Sequence, residues 1–167
     1  MPHALAFTCR RCGHCCHGEG GIVLSRDDIN RLAAHLQMEA GDMLARYACF
    51  VSGKYRLASG GDGYCVFYAE GCGVHPGRPD VCRAWPYFRG NIIDADSHAM
   101  AAEDCPGINR EVPHAEFARQ GRKYLADHGL SRARGEDVPE ALADVAPERD
   151  PAQTEDEEDG PRGFHAP

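Results

Sequence analysis

The chain of 167 residues lacks several features that would assign it to common classes of protein. Charged residues and glycines interrupt every apolar segment, so no run approaches the ~18 consecutive apolar residues that a membrane-spanning helix needs. The residues before Cys9 contain no long apolar stretch, so no signal peptide is predicted. We therefore expect a soluble, cytoplasmic protein.

An excess of basic residues is also missing. The formal net charge is −8, and residues 130–167 hold eleven acidic residues and four arginines. The remaining chain is nearly neutral and has neither a basic patch nor an aromatic stacking platform, so nucleic acid is not an expected partner. The glycine-rich fingerprint of a dinucleotide-binding fold does not occur either.

Cysteine, in contrast, is abundant, with nine residues. In a reducing cytosol, closely spaced thiolates are more often metal ligands than disulfide partners. The odd number also argues against complete pairing, although a disulfide framework is the alternative without metal. The composition predicts one domain of ordinary size that is organised by bound metal.

The first cysteine group is Cys9-x2-Cys12-x2-Cys15-Cys16. Gaps of two residues allow one tight loop to direct successive sulfur atoms to a common centre at about 2.3 Å. The adjacent Cys15 and Cys16 are harder to place on one ion, because successive side chains diverge on an extended backbone. A bent loop could still collect both.

The second group, Cys65, Cys72, Cys82 and Cys105, is too widely spaced for a local loop and must be gathered by the fold. Together the groups supply eight candidate ligands, enough for two four-coordinate sites or for one cluster with the remaining cysteines structural. Cys49 lies outside both groups and is interpreted as a small buried hydrophobe.

The metal itself is left open by these spacings. The Cys-x2-Cys-x2-Cys spacing and the Cys105-Pro106 pair resemble ferredoxin-type ligation, which favours an iron-sulfur cluster. A closed site of four cysteines suits structural zinc equally well.

Several residues near the cysteines are candidates for tuning the site. His14 and His17 flank the first group and could ligate or tune a metal. Arg78 and Arg83 could offset thiolate charge or hold an anionic ligand, and Trp85 could shield the site from water. Surface ion pairs and ordinary core packing are the alternatives for these residues.

Hydrophobic periodicity predicts a small, irregular α+β domain over residues 1–129. Helices are predicted at residues 26–37, 41–48 and 113–128. Short strands are predicted at residues 55–58, 65–68 and 73–75. Residues 130–167 are predicted to be a disordered acidic tail, because proline and charge leave little apolar surface to order them.

On these motifs the chain resembles the CxxCxxCC family of zinc- or iron-chelating proteins, the YkgJ-type cysteine cluster proteins, to which flagellin lysine methylases are related. The resemblance spans about residues 9–107 and rests on the first cysteine group, Cys65, Cys72, Arg78-Pro79-x2-Cys82-Arg83-x-Trp85-Pro86 and Cys105-Pro106-Gly107. It implies metal chelation by these cysteines. Through the methylase relatives it also suggests methyl transfer to protein lysines.

Three functions follow as alternatives. The first is a metal-binding module of undefined cellular role that acts through a protein partner. The second is a redox or methyl-transfer enzyme with a substrate pocket near Arg78, Arg83 and Trp85, because catalytic metal sites retain exchangeable positions. The third is a metal carrier or redox sensor, whose metal would exchange with a chelator or change oxidation state.

Overall fold

A computed structural model describes residues 4–18, 21–131 and 139–143 of the chain. The helices are α1 (Arg26–Leu36), α2 (Ala40–Tyr47), α3 (Asp80–Ala84), α4 (Arg89–Ile93), α5 (Ala95–Asp104) and α6 (His114–Asp127). The strands are β1 (Ala48–Val51) and β2 (Lys54–Leu57), and single 3-10 turns lie at His14–Cys16, His75–Gly77 and Glu140–Leu142. The predicted α+β class is confirmed. None of the helices in the described ranges is both long enough and apolar enough to cross a membrane.

The first predicted helix begins where its capping residues indicate. The Ser25 hydroxyl accepts a hydrogen bond from the Asp28 amide (3.1 Å), and the Asp28 carboxylate accepts one from the Ser25 amide (3.0 Å). This capping box satisfies amide groups that have no partner inside the helix. The predicted helical pair is confirmed, and α1 and α2 bury Leu32 and Met43 between them and the rest of the domain.

Strands β1 and β2 form an antiparallel hairpin in which Ala48 pairs with Leu57. The extended residues 22–24 lie along the other edge of β2, where the Leu24 amide donates to the Tyr55 carbonyl and the Leu57 amide donates to the Ile22 carbonyl, each at 2.9 Å. The hairpin closes over a group of buried residues that we call the small core. It comprises Leu24, Leu32, Ala33, Met43, Leu57 and Val74.

The strands predicted at residues 65–68 and 73–75 are wrong, because these segments fold as turns. The Tyr68 amide donates to the Cys65 carbonyl and the Gly73 amide donates to the Phe67 carbonyl, both at 2.8 Å. Glycines and the positive φ of Glu70 reverse the chain here. An extended strand would have sent neighbouring side chains to opposite faces, whereas the turn returns the chain on itself.

Helices α4 and α5, which hydrophobic periodicity does not predict, pack with α6 in the other half of the molecule. Helix α5 is capped by Asp94, whose carboxylate accepts the Ser97 amide at 2.8 Å. Helix α6 matches its prediction. Gly129, which has a φ of +59°, reverses the chain just after the helix, and the Leu130 amide then donates to the Leu125 carbonyl.

The helical core is the larger of the two buried groups. Its members are Ala6, Ala84, Tyr87, Ile92, Ala101, Ala102, Cys105, Ile108, Val112, Phe117, Ala118, Leu125, Leu130 and Leu142. Residues 139–143 fall in the predicted tail, yet their turn places Leu142 in this core. The rest of the predicted tail lies outside the described residues, apart from Leu130 and Ser131, and the boundary at residue 130 stays a prediction.

Candidate metal centre

The first cysteine group is folded into a bent loop. A 3-10 turn covers His14–Cys16, and the Cys16 amide donates to the Gly13 carbonyl at 2.9 Å. Gly13 has a φ of +84°, and a Cβ atom there would lie 2.3 Å from Cε2 of Tyr68. Only glycine fits this position, so the loop is pressed against the turn that carries the next two cysteines.

Backbone hydrogen bonds then connect this loop to the turn of Cys65 and Cys72. The Cys65 amide donates to the Cys16 carbonyl at 2.7 Å, and the Gly18 amide donates to the Gly63 carbonyl at 3.0 Å. His17 contacts Tyr64 edge to face, with ring centroids 4.7 Å apart. Cysteines separated by 49 residues therefore lie on adjacent segments.

Helix α3, which carries Cys82, is anchored to α1 by a buried charge network. The Asp80 amide donates to the Asp28 carboxylate at 2.8 Å, and Arg31 forms ion pairs with both carboxylates. Arg83 adds a third pair to Asp80 at 3.0 Å. Since Asp28 and Asp80 are both buried, these partners offset the cost of removing their charges from water.

Cys105 ends α5 and lies beside the segment that leads to Cys9. The Thr8 amide donates to the Gly107 carbonyl at 2.9 Å, and Phe7 forms a β-bridge with Ile108. A Cβ atom at Gly107 would lie 2.5 Å from the Thr8 carbonyl oxygen, so the close approach requires glycine.

These connections bring the predicted ligands to one place. A single cavity of about 680 Å³ is lined by all eight of them: Cys9, Cys12, Cys15, Cys16, Cys65, Cys72, Cys82 and Cys105. All nine cysteines are free thiols. Cys49 does not line the cavity, and its interpretation as a buried hydrophobe is wrong, because it is exposed on β1 near the Arg56 carbonyl.

One thiol, that of Cys16, is joined by hydrogen bonds to two others. The Cys16 thiol bonds to both Cys15 and Cys72, which lowers the pKa of Cys15 to about 7 and that of Cys72 to about 6 and raises the pKa of Cys16. Arg78 contributes to both lowered values through its positive charge. The bent loop therefore places the adjacent Cys15 and Cys16 in one cluster, which an extended backbone would have prevented.

Cys65 and Cys82 complete this group of five thiols. Burial is the main cause of a raised pKa at both residues, and the charges of Cys15 and Cys72 add to the effect. Cys15 and Cys72 thus influence the ionisation of both Cys65 and Cys82, and all five thiols line the same cavity.

The side chains of the described residues are not yet arranged as ligands of one ion. No three His, Cys, Asp or Glu side chains in residues 4–18, 21–131 and 139–143 converge with the geometry of a metal site. The thiols instead bond to one another. Rotation of cysteine side chains between staggered rotamers would redirect the sulfur atoms without moving the backbone. The donor set itself, thiols in one cavity, is suited to zinc or to iron.

The three residues predicted to tune the site, Arg78, Arg83 and Trp85, all line the cavity. Arg78 bonds to the ring Nε2 and the carbonyl of His75, while Arg83 is held by Asp80. Trp85 contacts Phe88 edge to face, with centroids 5.2 Å apart.

Of the two predicted histidines, His17 lines this cavity and His14 does not. His14 lies on the first cysteine loop and is exposed to solvent. No metal-ligand geometry is present at either residue in the described part of the chain, so their role stays a prediction.

One wall of the cavity was not predicted from sequence. It comes from α6, which contributes Arg119, Gln120, Lys123, Tyr124 and Asp127. Tyr124 is one of the residues whose periodicity predicts the helix, whereas the other four are polar and recur with helical spacing. Their polar character is typical of a solvated helix face, so only the tertiary contact with the cysteine loops identifies them.

Comparisons with known proteins agree with the donor set. Residues 8–106 match the family model CxxCxxCC, described as "Putative zinc- or iron-chelating domain". An uncharacterized protein of Methanocaldococcus jannaschii is 27% identical over 88 residues, which are 51% of this chain and 47% of that protein. The chain thus spans about half the length of this curated relative, and no solved structure matches. Since the family model covers more than half of the chain, including all eight cavity cysteines, the chain belongs to the CxxCxxCC family.

Proposed function

We propose that the cavity cysteines hold a thiolate-bound metal centre, either zinc or an iron-sulfur cluster, and that this centre is the functional site. The observation that carries the proposal is the selection of thiols: eight of nine cysteines line one cavity, and only Cys49 lies elsewhere. The family description agrees with metal chelation.

The electrostatic contacts favour one allocation of ligands. Cys15, Cys16, Cys65 and Cys72 form the centre of the five-thiol group, and Cys82 lies beside them. Four thiols satisfy one tetrahedral ion or one cluster. The remaining Cys9, Cys12 and Cys105 line the same cavity and, with Cys82, would supply a second set of four.

The metal would supply either structural closure or redox chemistry, depending on its identity. The test is purification without oxygen, followed by measurement of zinc, iron and acid-labile sulfide per chain together with the visible absorption spectrum. We expect metal at one or two centres per chain. Iron with sulfide identifies a cluster, zinc without sulfide identifies a thiolate zinc site, and a chain without either metal refutes the proposal.

Two further functions are compatible with this centre. The size of the cavity, about 680 Å³, favours a redox or methyl-transfer enzyme over a closed structural site. No further observation supports methyl transfer in particular, since the described residues form only a two-stranded antiparallel sheet and no nucleotide-binding unit. A metal carrier or redox sensor is distinguished by rapid loss of metal to a competing chelator.

The compartment and the partner are part of the same proposal. We infer a reducing compartment such as the cytoplasm, because oxidation would convert neighbouring thiols to disulfides and remove them as metal ligands. If the centre proves closed and inert, a protein partner is the expected route of action, and co-purification with the metal-loaded chain would test it.

A further inference from the structure

The cavity is larger than a metal centre needs. A tetrahedral site with metal–sulfur distances of about 2.3 Å occupies a small part of a 680 Å³ space. Cavities of roughly 300–1,000 Å³ with mostly apolar lining are typical of sites for small molecules. Here Phe7, Trp85, Tyr87 and Tyr124 provide aromatic surface beside the thiols.

The charges around this space are mostly positive. Six cationic side chains line it, and Asp127 is the single acidic residue among those lining the described cavity. The cationic residues are Arg10, Arg11, Arg78, Arg83, Arg119 and Lys123. This excess of positive charge would not help to bind an uncharged substrate, whereas it would attract an anion into the cavity.

Three of these cations already have carboxylate partners: Arg83 bonds to Asp80, Arg119 bonds to Glu116 and Lys123 bonds to Asp127. Arg78 is different, because it bonds to the ring and the carbonyl of His75, neither of which carries a negative charge.

Arg11 and Arg78 line the same end of the cavity. The Arg11 carbonyl oxygen would lie 3.5 Å from a Cβ atom at Gly71, next to Cys72, and Arg78 bonds to His75, three residues beyond Cys72. They belong to separate segments, the first cysteine loop and the turn before α3. Two guanidinium groups from separate segments are suited to hold the oxygen atoms of a carboxylate or a phosphate.

We propose that the cavity binds a small organic anion beside the thiol cluster, with its oxyanion on Arg78 and Arg11 and its apolar body against the aromatic lining. The placement rests on the proposed function, because the anion lies next to the metal centre. The competing explanation is that these arginines only offset thiolate charge. That explanation requires no apolar space, and it predicts that loss of an arginine weakens metal retention.

The test uses the metal-loaded full chain and two fluorescent probes, anilinonaphthalene sulfonate and phenylnaphthylamine, which lacks the sulfonate. We expect the sulfonate to bind more tightly than the uncharged probe. Arg78→Gln and Arg11→Gln should each weaken sulfonate binding by about tenfold, the loss of one charge-assisted hydrogen bond. Binding of the uncharged probe and metal content should stay the same. Arg46→Gln, at an exposed position over the Tyr47 ring, is the matched control.

Unchanged sulfonate binding in both variants would overturn the anion site. A fall in metal content in either variant would also overturn it, because the arginines would then serve the thiolates, and the proposed metal centre would stand. If the wild-type chain holds no metal but binds the sulfonate in an Arg78-dependent way, the anion site stands and the proposed function fails. Arg11 is exposed, so its variant tests the site even if Arg78→Gln does not fold.

Discussion

The two halves of the molecule are held together by different forces. In the helical half, Phe117 is fully buried and contacts the rings of Tyr87 and His98, with centroids 5.0 and 4.1 Å away. In the cysteine half, the small core has six buried members, of which only Leu32 and Met43 are fully buried. This core is surrounded by turns and isolated β-bridges, whose cysteine side chains line one side of the cavity.

This difference assigns separate roles to the halves. Apolar packing is enough to hold α4, α5 and α6 against one another, so this half can act as a scaffold. The loops that carry Cys15, Cys65 and Cys72 bury little apolar surface and depend on backbone hydrogen bonds and bound metal. Stability in the first half should therefore depend less on metal than stability in the second, although the first half contributes Cys105 to the cavity.

The largest expected effect follows from Cys72→Ser. Cys72 bonds to Cys16 and influences the other thiols of the five-thiol group, so its loss should remove most of the metal. Thiolate sites contribute on the order of 10 kcal/mol to folding, so hydrogen exchange at residues 7–18 and 64–85 should become fast while α6 stays protected. Metal analysis and hydrogen-exchange mass spectrometry measure both effects.

Cys49→Ser is the matched control for this change, because Cys49 is exposed and outside the cavity. It should leave metal content and hydrogen exchange as in the wild type. Equal metal loss in both variants would contradict the assignment of ligands.

Phe117→Ala should destabilise the helical half by about 3–5 kcal/mol, because it leaves a cavity in a fully buried position. The comparison predicts that this loss is the same for metal-loaded and metal-free protein. Urea unfolding, followed by circular dichroism in both states, measures it. A loss that depends on metal would mean that the two halves unfold as one unit.

Asp28→Ala should cost about 3 kcal/mol, because it removes one partner of a buried charge network and the carboxylate of the capping box, which accepts the Ser25 amide. The effect should fall on the cysteine half, since Asp28 also accepts the amide at the start of α3. Asp27→Ala, at the exposed neighbouring position, should change the unfolding free energy by less than about 0.5 kcal/mol. Thermal unfolding of the two variants gives the comparison.

The smallest effect concerns thiol reactivity in metal-free protein. The pKa of Cys72 is about 6 and that of Cys15 about 7, below the ordinary thiol value of about 8.5. Between about pH 6 and 8.5 the folded chain thus holds thiolates where the unfolded chain holds thiols. Their contribution to stability is present at the upper end of this range and is lost as the pH falls through 7 and then 6.

The relative reactivity of the individual thiols is measured by alkylation with iodoacetamide followed by peptide mass spectrometry. At pH 7, Cys72 and Cys15 should react faster than Cys65 and Cys82, whose pKa values are raised by burial. Equal rates at all four residues would show that the thiols do not share protons as the contacts indicate.

Much of the local structure and the choice of ligands could be read from the sequence. The capping residues at Ser25 predict the start of α1, and Gly129 predicts the end of α6, because both signals act within one helical turn. The spacing of the cysteines separates eight members of the cavity from Cys49. Local chemistry and short spacing carry this information.

What required the tertiary structure were the contacts between distant segments. The exposure of Cys49 and the place of Leu142 in the helical core both depend on such contacts. The polar wall of α6 belongs with them, because a solvated helix face and a cavity wall have the same residue pattern. Hydrophobic periodicity reports which residues are buried, but it does not report which segment buries them, and the residues that line the cavity range from Leu5 to Asp127.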